Sequence, residues 1–356
     1  MGSGRSPFGV SMTTLFLRQA LENLLQGQAL TQAQAKQLMK MWLDGKIPDS
    51  FSGAILAALR TKGVTAEELT GMARVLQEAS ESAGLAPAPE GTIDTCGTGG
   101  DGAGTFNIST SVAFVAAACG VPVAKHGGRS ASGKVGSADV LEFLGVNLQA
   151  PPQKIRAALD EVGITFLFAP SWHPAMKSVA PIRRELGIRT VFNLLGPLVN
   201  PLHPTGQVVG VYQENLLPTV AQTLRNLGRE RGLVLFGLEG LDEAGLAAPT
   251  RVVRFHHDLF FSERIEPEAL GIPAAPPKAL AGGERIEDNA RIMKAVLQGK
   301  GTQAQTDVVA LNTSAALLVS GRTDSWQAGY LQAKECLVSG APWEKLEALV
   351  RYFQSS

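Results

Sequence analysis

Two glycine-rich stretches hold residues that could do chemistry. Residues 96–111 read CGTGGDGAGTFNISTS, and residues 125–139 read KHGGRSASGKVGSAD. Gly97, Gly99 and Gly100 lack a Cβ, so successive backbone N–H groups there can close on an anion. Asn107, Ser109 and Thr110 add amide and hydroxyl groups where a helix is predicted to begin, and a helix N-terminus favours negative charge. In the second stretch Lys125, Arg129 and Lys134 bring positive charge, and Ser132 and Ser137 bring hydroxyls. Each stretch follows a short apolar run and leads into a helical pattern. Taken singly, the first is also what a plain tight turn looks like and the second what a linker looks like. Together, at the carboxyl ends of two predicted strands, they point to one phosphate-binding crevice.

Two further stretches supply a cation site and an acceptor site. FGLEGLDEAG (236–245) places Asp242 and Glu243 side by side after an apolar run. Paired carboxylates suit Mg²⁺ shared with substrate phosphates, although adjacent acids also occur on solvated surfaces. APSWHPAMKSVAPIRRELGIRTVFNLLGPLVNP (169–201) carries His173 and the pair Arg183 and Arg184. A guanidinium is the natural partner of a carboxylate, so this segment either lines a pocket for an anionic acceptor or exposes solvated helix residues. GPLVNP reads as a rigid turn between domains.

The elements that must position these residues are legible around them. Residues 12–84 look helical: Thr31 to Gln34 and Thr65 to Glu68 match the capping box, and Gly27, Gly45, Gly63 and Gly84 fall where helices should stop. GLAPAPEG (84–91) breaks the pattern. Apolar runs at 92–96, 121–126, 164–169, 207–212, 232–237 and 250–255 then alternate with helical stretches, and the tail from about Glu284 is helical again. The expected fold is α/β: a small all-helical N-terminal domain plus a large α/β domain with a central mixed, mostly parallel sheet flanked by helices. The expected boundaries are a disordered extension or tag at 1–11, a helical domain at 12–84 joined by part of 175–205, and a catalytic domain at 85–356.

Composition narrows the class. Lys plus Arg and Asp plus Glu number 32 each, a formal net charge of +0, which argues against broad binding to nucleic acid or an anionic membrane. No apolar run reaches the length of a membrane span, and the N-terminus lacks the order of a signal peptide. Cys96, Cys119 and Cys336 have no CxxC spacing, which fits buried thiols in a reducing cytoplasm.

Taken together, GTGGD, NIST, KHG, GSADVLE, HPAM, RTVFNLLGPLVNP and GLDE resemble the anthranilate phosphoribosyltransferase family of tryptophan biosynthesis, over about residues 13–353. The resemblance implies transfer of a 5-phosphoribosyl group from phosphoribosyl pyrophosphate to anthranilate, with Mg²⁺, as two ions with the pyrophosphate, in a cytoplasmic homodimer joined through the helical domain. It places Gly97, Gly99, Gly100, Asp101, Thr105, Asn107, Ser109, Thr110, Lys125, Arg129, Ser130, Ala131, Ser132, Gly133 and Ser137 along the phosphoribosyl donor. It gives Ser109, Asp242 and Glu243 to the metal, and Gly97, His126, Gly128, His173 and Arg183 to anthranilate. Three positions depart from the family pattern: Gly128 where Asn is usual, Ser178 where His often stands, and Phe236 where His often stands.

The chemistry expected is dissociative. An aromatic amine is a weak nucleophile, so the bond to pyrophosphate should break early, with an oxocarbenium-like ribosyl centre and charge growing on the leaving group. His126 is a candidate for taking the amine proton; water or pyrophosphate are the alternatives. Other readings are transfer to a different aromatic acceptor, a pyrimidine-nucleoside phosphorylase, which should not need the acidic pair, or a non-enzymatic nucleic-acid-binding relative, which should carry a basic surplus.

Overall fold

In the computed structural model, which describes residues 12–80, 84–129 and 135–354, four helices come first: Met12–Leu25, Gln32–Leu43, Asp49–Lys62 and Ala66–Glu78. The expected extension at 1–11 lies outside the described residues. Both capping boxes form: Thr31 accepts from the Gln34 N–H and Thr65 from the Glu68 N–H, at 3.3 Å each. Glu68 does more than cap. It is buried, accepts from the Thr65 and Leu30 N–H groups at 2.8 and 2.9 Å, and pairs with Lys62 at 2.9 Å, so its charge has the partners that burial demands. Leu38, Met39, Trp42, Ile55, Leu56, Leu69, Met72 and Leu76 form the core between these helices. Each such side chain contributes roughly 1.5–3 kcal/mol on burial.

Contacts divide the chain into two units: Met1–Ser80 with His173–Val199, and Glu81–Trp172 with Asn200–Ser356. In the first, the later segment adds the 3-10 turn Pro174–Val179 and helices Ala180–Leu186 and Val191–Leu195. The Ser178 hydroxyl donates to the Trp42 carbonyl at 3.0 Å, and Arg60 donates to the Arg189 carbonyl at 3.1 Å.

The second unit is built on seven strands: β1 Ile93–Gly97, β2 Val123–Gly127, β3 Ile164–Phe168, β4 Gly206–Gly210, β5 Arg231–Gly237, β6 Thr250–His256 and β7 Leu259–Ile265. Their order is β3-β2-β1-β4-β5-β6-β7. β1 to β5 pair in parallel, and β6 and β7 are antiparallel. The first five strands are almost wholly buried; this suits the apolar centres of β3, β4 and β5, while β1 and β2 also bury Asp94, Lys125 and His126. Helices Ile108–Ala118 and Gln303–Ser320 are buried along nearly their whole length, as helices flanking such a sheet must be. The chain runs from β1 outward to β2 and β3, then returns to the other side of β1 for β4 and β5. The strand order therefore reverses between β1 and β4, and ligands of open α/β sheets sit beyond the carboxyl ends of the strands at such a point. β7 is absent from the sequence reading. It is an edge strand whose Leu259, Phe260 and Phe261 are all exposed, so no alternation of burial marks it.

Candidate functional site

The turn after β1 and the acidic segment after β5 meet over the sheet end. The Gly99 N–H donates to Asp242 Oδ2 at 2.7 Å, and the Asp242 N–H reaches Asp101 Oδ2 at 3.5 Å. Oxygens of Asp101, Asp242 and Glu243 all lie within 4.8 Å of one another. The approach is close enough to dictate glycine. A Cβ on Gly97 would press into the Asp242 carboxylate, 2.9 Å from its Cγ, and one on Gly210, at the end of β4, would lie 2.5 Å from the Asp242 carbonyl carbon. Gly99 and Gly100 take φ of 65° and 76°, the left-handed region that glycine enters freely, and a Cβ on Gly99 would meet nothing within 4 Å. The turn is thus open on its outer side.

The acidic segment is held from behind by residues the sequence reading did not single out. Asn312 accepts from the Ala244 N–H at 2.9 Å and donates to the Ala244 and Val308 carbonyls at 2.8 Å each. Glu239 accepts from the N–H groups of Leu246, Ala247 and Ala248 at 3.1, 3.2 and 2.7 Å. Both are ordinary residue types; Asn312 lies 68 residues from Ala244, so only the fold exposes it, while Glu239 closes a local loop of seven to nine residues. Asp101 is a related finding: expected along the donor, it stands as the third carboxylate of the cluster.

The electrostatics of the cluster are those of a site short of positive charge. Burial, reinforced by Asp101, pushes the Asp242 carboxyl up to about 6. Burial and the neighbouring Asp242 and Asp101 push Glu243 well above the usual carboxylate range. A divalent cation among these oxygens would relieve both the repulsion and the desolvation, so the donor set fits a hard ion such as Mg²⁺.

β2 brings the second loop beside the first. Lys125 is only 2% exposed, and its ammonium donates to the Thr95 carbonyl at 2.6 Å and to Ser109 Oγ at 3.3 Å. Burial pushes its pKa down. The expected metal ligand Ser109 thus has its hydroxyl on Lys125. Asn107 donates to the Val135 carbonyl at 3.3 Å, and the Ser137 hydroxyl donates to the Gly128 carbonyl at 3.3 Å. Thr110 is buried in the first turn of helix Ile108–Ala118. Thr105 forms an isolated antiparallel bridge with Ala281. Arg129 bonds Asp139 and Glu142, the latter at 2.7 Å. Ser130, Ala131, Ser132 and Gly133, together with Lys134, lie outside the described residues.

The expected acceptor residues divide between the units. His126, buried near the end of β2, and Gly128, the residue just after it, lie in the α/β unit. A Cβ on Gly128 would touch only Ala169 Cβ, at 3.9 Å. His173 and Arg183 belong to the helical unit. Burial lowers His173 to about 4, which leaves it neutral at pH 7. The Arg183 guanidinium lies 5.5 Å over the Phe192 ring, and burial lowers its pKa.

Residues 90–342 match the model of the α/β domain of the glycosyl transferase family, and residues 18–80 match its helical bundle domain. An anthranilate phosphoribosyltransferase of Synechococcus sp. (strain JA-3-3Ab) is 59% identical over 337 residues, 95% of this chain and 97% of the relative. The crystal structure of the anthranilate phosphoribosyltransferase of Thermus thermophilus superposes with a TM-score of 0.87 at 41% identity, covering 94% of this chain and 99% of that one. The Saccharomyces cerevisiae anthranilate phosphoribosyltransferase, in complex with phosphoribosyl pyrophosphate and Mg, superposes with a TM-score of 0.84 at 29% identity, covering 97% and 99%.

Proposed function

The chain belongs to the anthranilate phosphoribosyltransferase family, and we propose that it moves the 5-phosphoribosyl group of phosphoribosyl pyrophosphate onto the amine of anthranilate, releasing pyrophosphate, in tryptophan biosynthesis. The observation that carries this is the cluster of Asp101, Asp242 and Glu243 against the glycine turn that follows β1. It joins a cation site to a phosphate-type loop, which is what a magnesium pyrophosphate substrate requires.

Asp242 and Glu243, with Asp101, would hold Mg²⁺, and Ser109 is the further candidate ligand. Bound there, Mg²⁺ supplies positive charge against the negative charge that grows on the leaving pyrophosphate. The chain's own residues do the rest. In the Gly97–Asp101 turn the Thr98 and Gly99 N–H groups already serve the Gly210 carbonyl and Asp242, so the N–H groups of Gly100 and Asp101 are the ones this turn would present to the pyrophosphate. Lys125, anchored on Thr95 and Ser109, adds a fixed positive charge behind the donor. Neutral His173 and the Arg183 guanidinium suit an aromatic carboxylate acceptor. His126 is the candidate to accept the amine proton as the new bond forms. No residue is asked to form a covalent intermediate: the catalysis is positioning and charge stabilisation.

We extend the proposal to two ions for each bound pyrophosphate, and to a homodimer. Met12, Leu15 and Leu25 leave apolar side chains exposed on the first helix, which supports a second copy as their cover. The three cysteines are free thiols, which suits the reducing cytoplasm. Among the described residues no helix is long and apolar enough to cross a membrane.

The test is pyrophosphate release. It should require donor, Mg²⁺ and anthranilate together, and should fall at least a hundredfold in the double variant Asp242→Asn, Glu243→Gln. Unchanged turnover of that variant at saturating Mg²⁺ would remove the metal assignment.

A further inference from the structure

The two central strands that carry the donor loops stop pairing early. β1 pairs with β4 over all five residues from Ile93–Gly206 to Gly97–Gly210, and β2 pairs with β3 over all five from Val123–Ile164 to Gly127–Phe168. Between β1 and β2 the ladder consists of Ile93 with Val123. The next rung of a parallel ladder would join Thr95 to Lys125, the Thr95 N–H donating to the Ala124 carbonyl and the His126 N–H to the Thr95 carbonyl. Side chains hold three of these four groups. Asn200 Nδ2 donates to the Ala124 carbonyl at 2.8 Å, Asp94 Oδ1 accepts from the His126 N–H at 3.2 Å, and the Lys125 ammonium donates to the Thr95 carbonyl at 2.6 Å. Asn200 Nδ2 also donates to Asp94 Oδ2 at 2.9 Å, and its Oδ1 accepts from the Leu202 N–H at 3.0 Å. Asp94 and Asn200 are fully buried.

We propose that Asp94 and Asn200 are positioning residues: a buried polar wedge that holds β1 and β2 apart one rung before the donor loops and so sets the width of the cleft that receives the donor's pyrophosphate. The inference rests on the phosphoribosyl-transfer reading. Buried hydrogen-bonding groups are costly unless matched, and here each is matched by a specific partner, so the wedge has one arrangement. It also explains why Lys125, from β2, bonds a carbonyl of β1. With that rung taken up by side chains, the Lys125 ammonium reaches the Thr95 carbonyl of β1 and Ser109 at the start of the donor helix. Asp94 is a counter-charge to that ammonium: burial works against charge on both, and each opposes the effect on the other.

Asp94→Asn is the direct perturbation. It keeps the size and can still accept from the His126 N–H, but it turns an amide donor toward the Asn200 amide and deletes the charge opposite Lys125. Asn200→Ala removes the other half of the wedge without changing any charge, and carries the test if the first variant does not fold. Circular dichroism verifies folding. Calorimetric titration with the magnesium complex of phosphoribosyl pyrophosphate then gives the donor Kd, and steady-state kinetics give both KM values. The expected result is a donor Kd raised about tenfold or more in each folded variant, with the anthranilate KM changed less than about threefold. A general loss of stability would instead lower the active fraction and leave both KM values alone. A donor Kd within twofold of wild type in a folded variant overturns the wedge. Failure of the wild type itself to bind the donor overturns the phosphoribosyl-transfer reading, and the wedge with it.

Discussion

Replacing Asp242 by Asn should make the metal-free protein more stable while destroying its chemistry. The carboxyl sits at about 6 in the folded protein against an ordinary 3.8, with burial the leading cause and Asp101 next. A carboxyl raised on folding binds its proton more tightly folded than unfolded. It therefore costs nothing below about pH 4, costs progressively more as pH rises through 6, and levels off above that. A difference of about two pH units corresponds to about 3 kcal/mol at most at neutral pH. Glu243 is raised as well and acts with the same sign. Asparagine keeps an oxygen for the Gly99 N–H, now 2.7 Å from Asp242 Oδ2, and removes the charge. In EDTA at pH 8 the variant should gain about 1–3 kcal/mol over wild type, a rise of several degrees in Tm for a unit of this size. At pH 4.5 the gap should shrink to about a third of its value at pH 8. On adding Mg²⁺ the wild type should gain Tm by linkage and the variant much less, with turnover down about a hundredfold or more. Scanning calorimetry across pH, with and without Mg²⁺, measures all of this. A variant less stable than wild type in EDTA at pH 8, or a gap as large at pH 4.5 as at pH 8, would refute this linkage.

Gly97→Ala should lower turnover at least a hundredfold and weaken Mg²⁺ binding, because its Cβ displaces the Asp242 carboxylate; Mg²⁺ titration followed by Tm checks the cause. Gly128→Asn should fold with a Tm within about 2 °C of wild type, since a Cβ there has room, and should change the anthranilate KM at least threefold with the donor KM unmoved. An unchanged acceptor KM would take position 128 out of the acceptor site. Arg183→Ala should raise the anthranilate KM about tenfold and leave the donor KM within twofold; the opposite split would mean that Arg183 serves the donor.

What could be read from the sequence was local. Thr31 and Thr65 with their partners three residues on announce helix starts, and the buried parallel strands announce themselves as apolar runs. GTGGD and GLDE carry their chemistry in their residue types. What could not be read depends on long-range closure. Asp94 and Asn200 lie 106 residues apart and become a pair only when β1, β2 and the turn after GPLV are assembled. Asn312 grips Ala244 across 68 residues, with nothing in either neighbourhood to advertise it. The family resemblance puts Asp101 along the pyrophosphate, and only the return of the 241–243 segment over β1 and β4 sets it beside Asp242 and Glu243 as a third carboxylate. β7 escaped because an exposed edge strand has no buried face to impose alternation on its sequence.

The most direct test of phosphoribosyl transfer to anthranilate is the fluorescence of anthranilate over time, with purified protein, phosphoribosyl pyrophosphate and Mg²⁺. The account predicts a decay that needs all components, is matched mole for mole by released pyrophosphate, and stops when the metal is chelated. Steady anthranilate fluorescence, with pyrophosphate released only when another aromatic amine or acid is supplied, would contradict it.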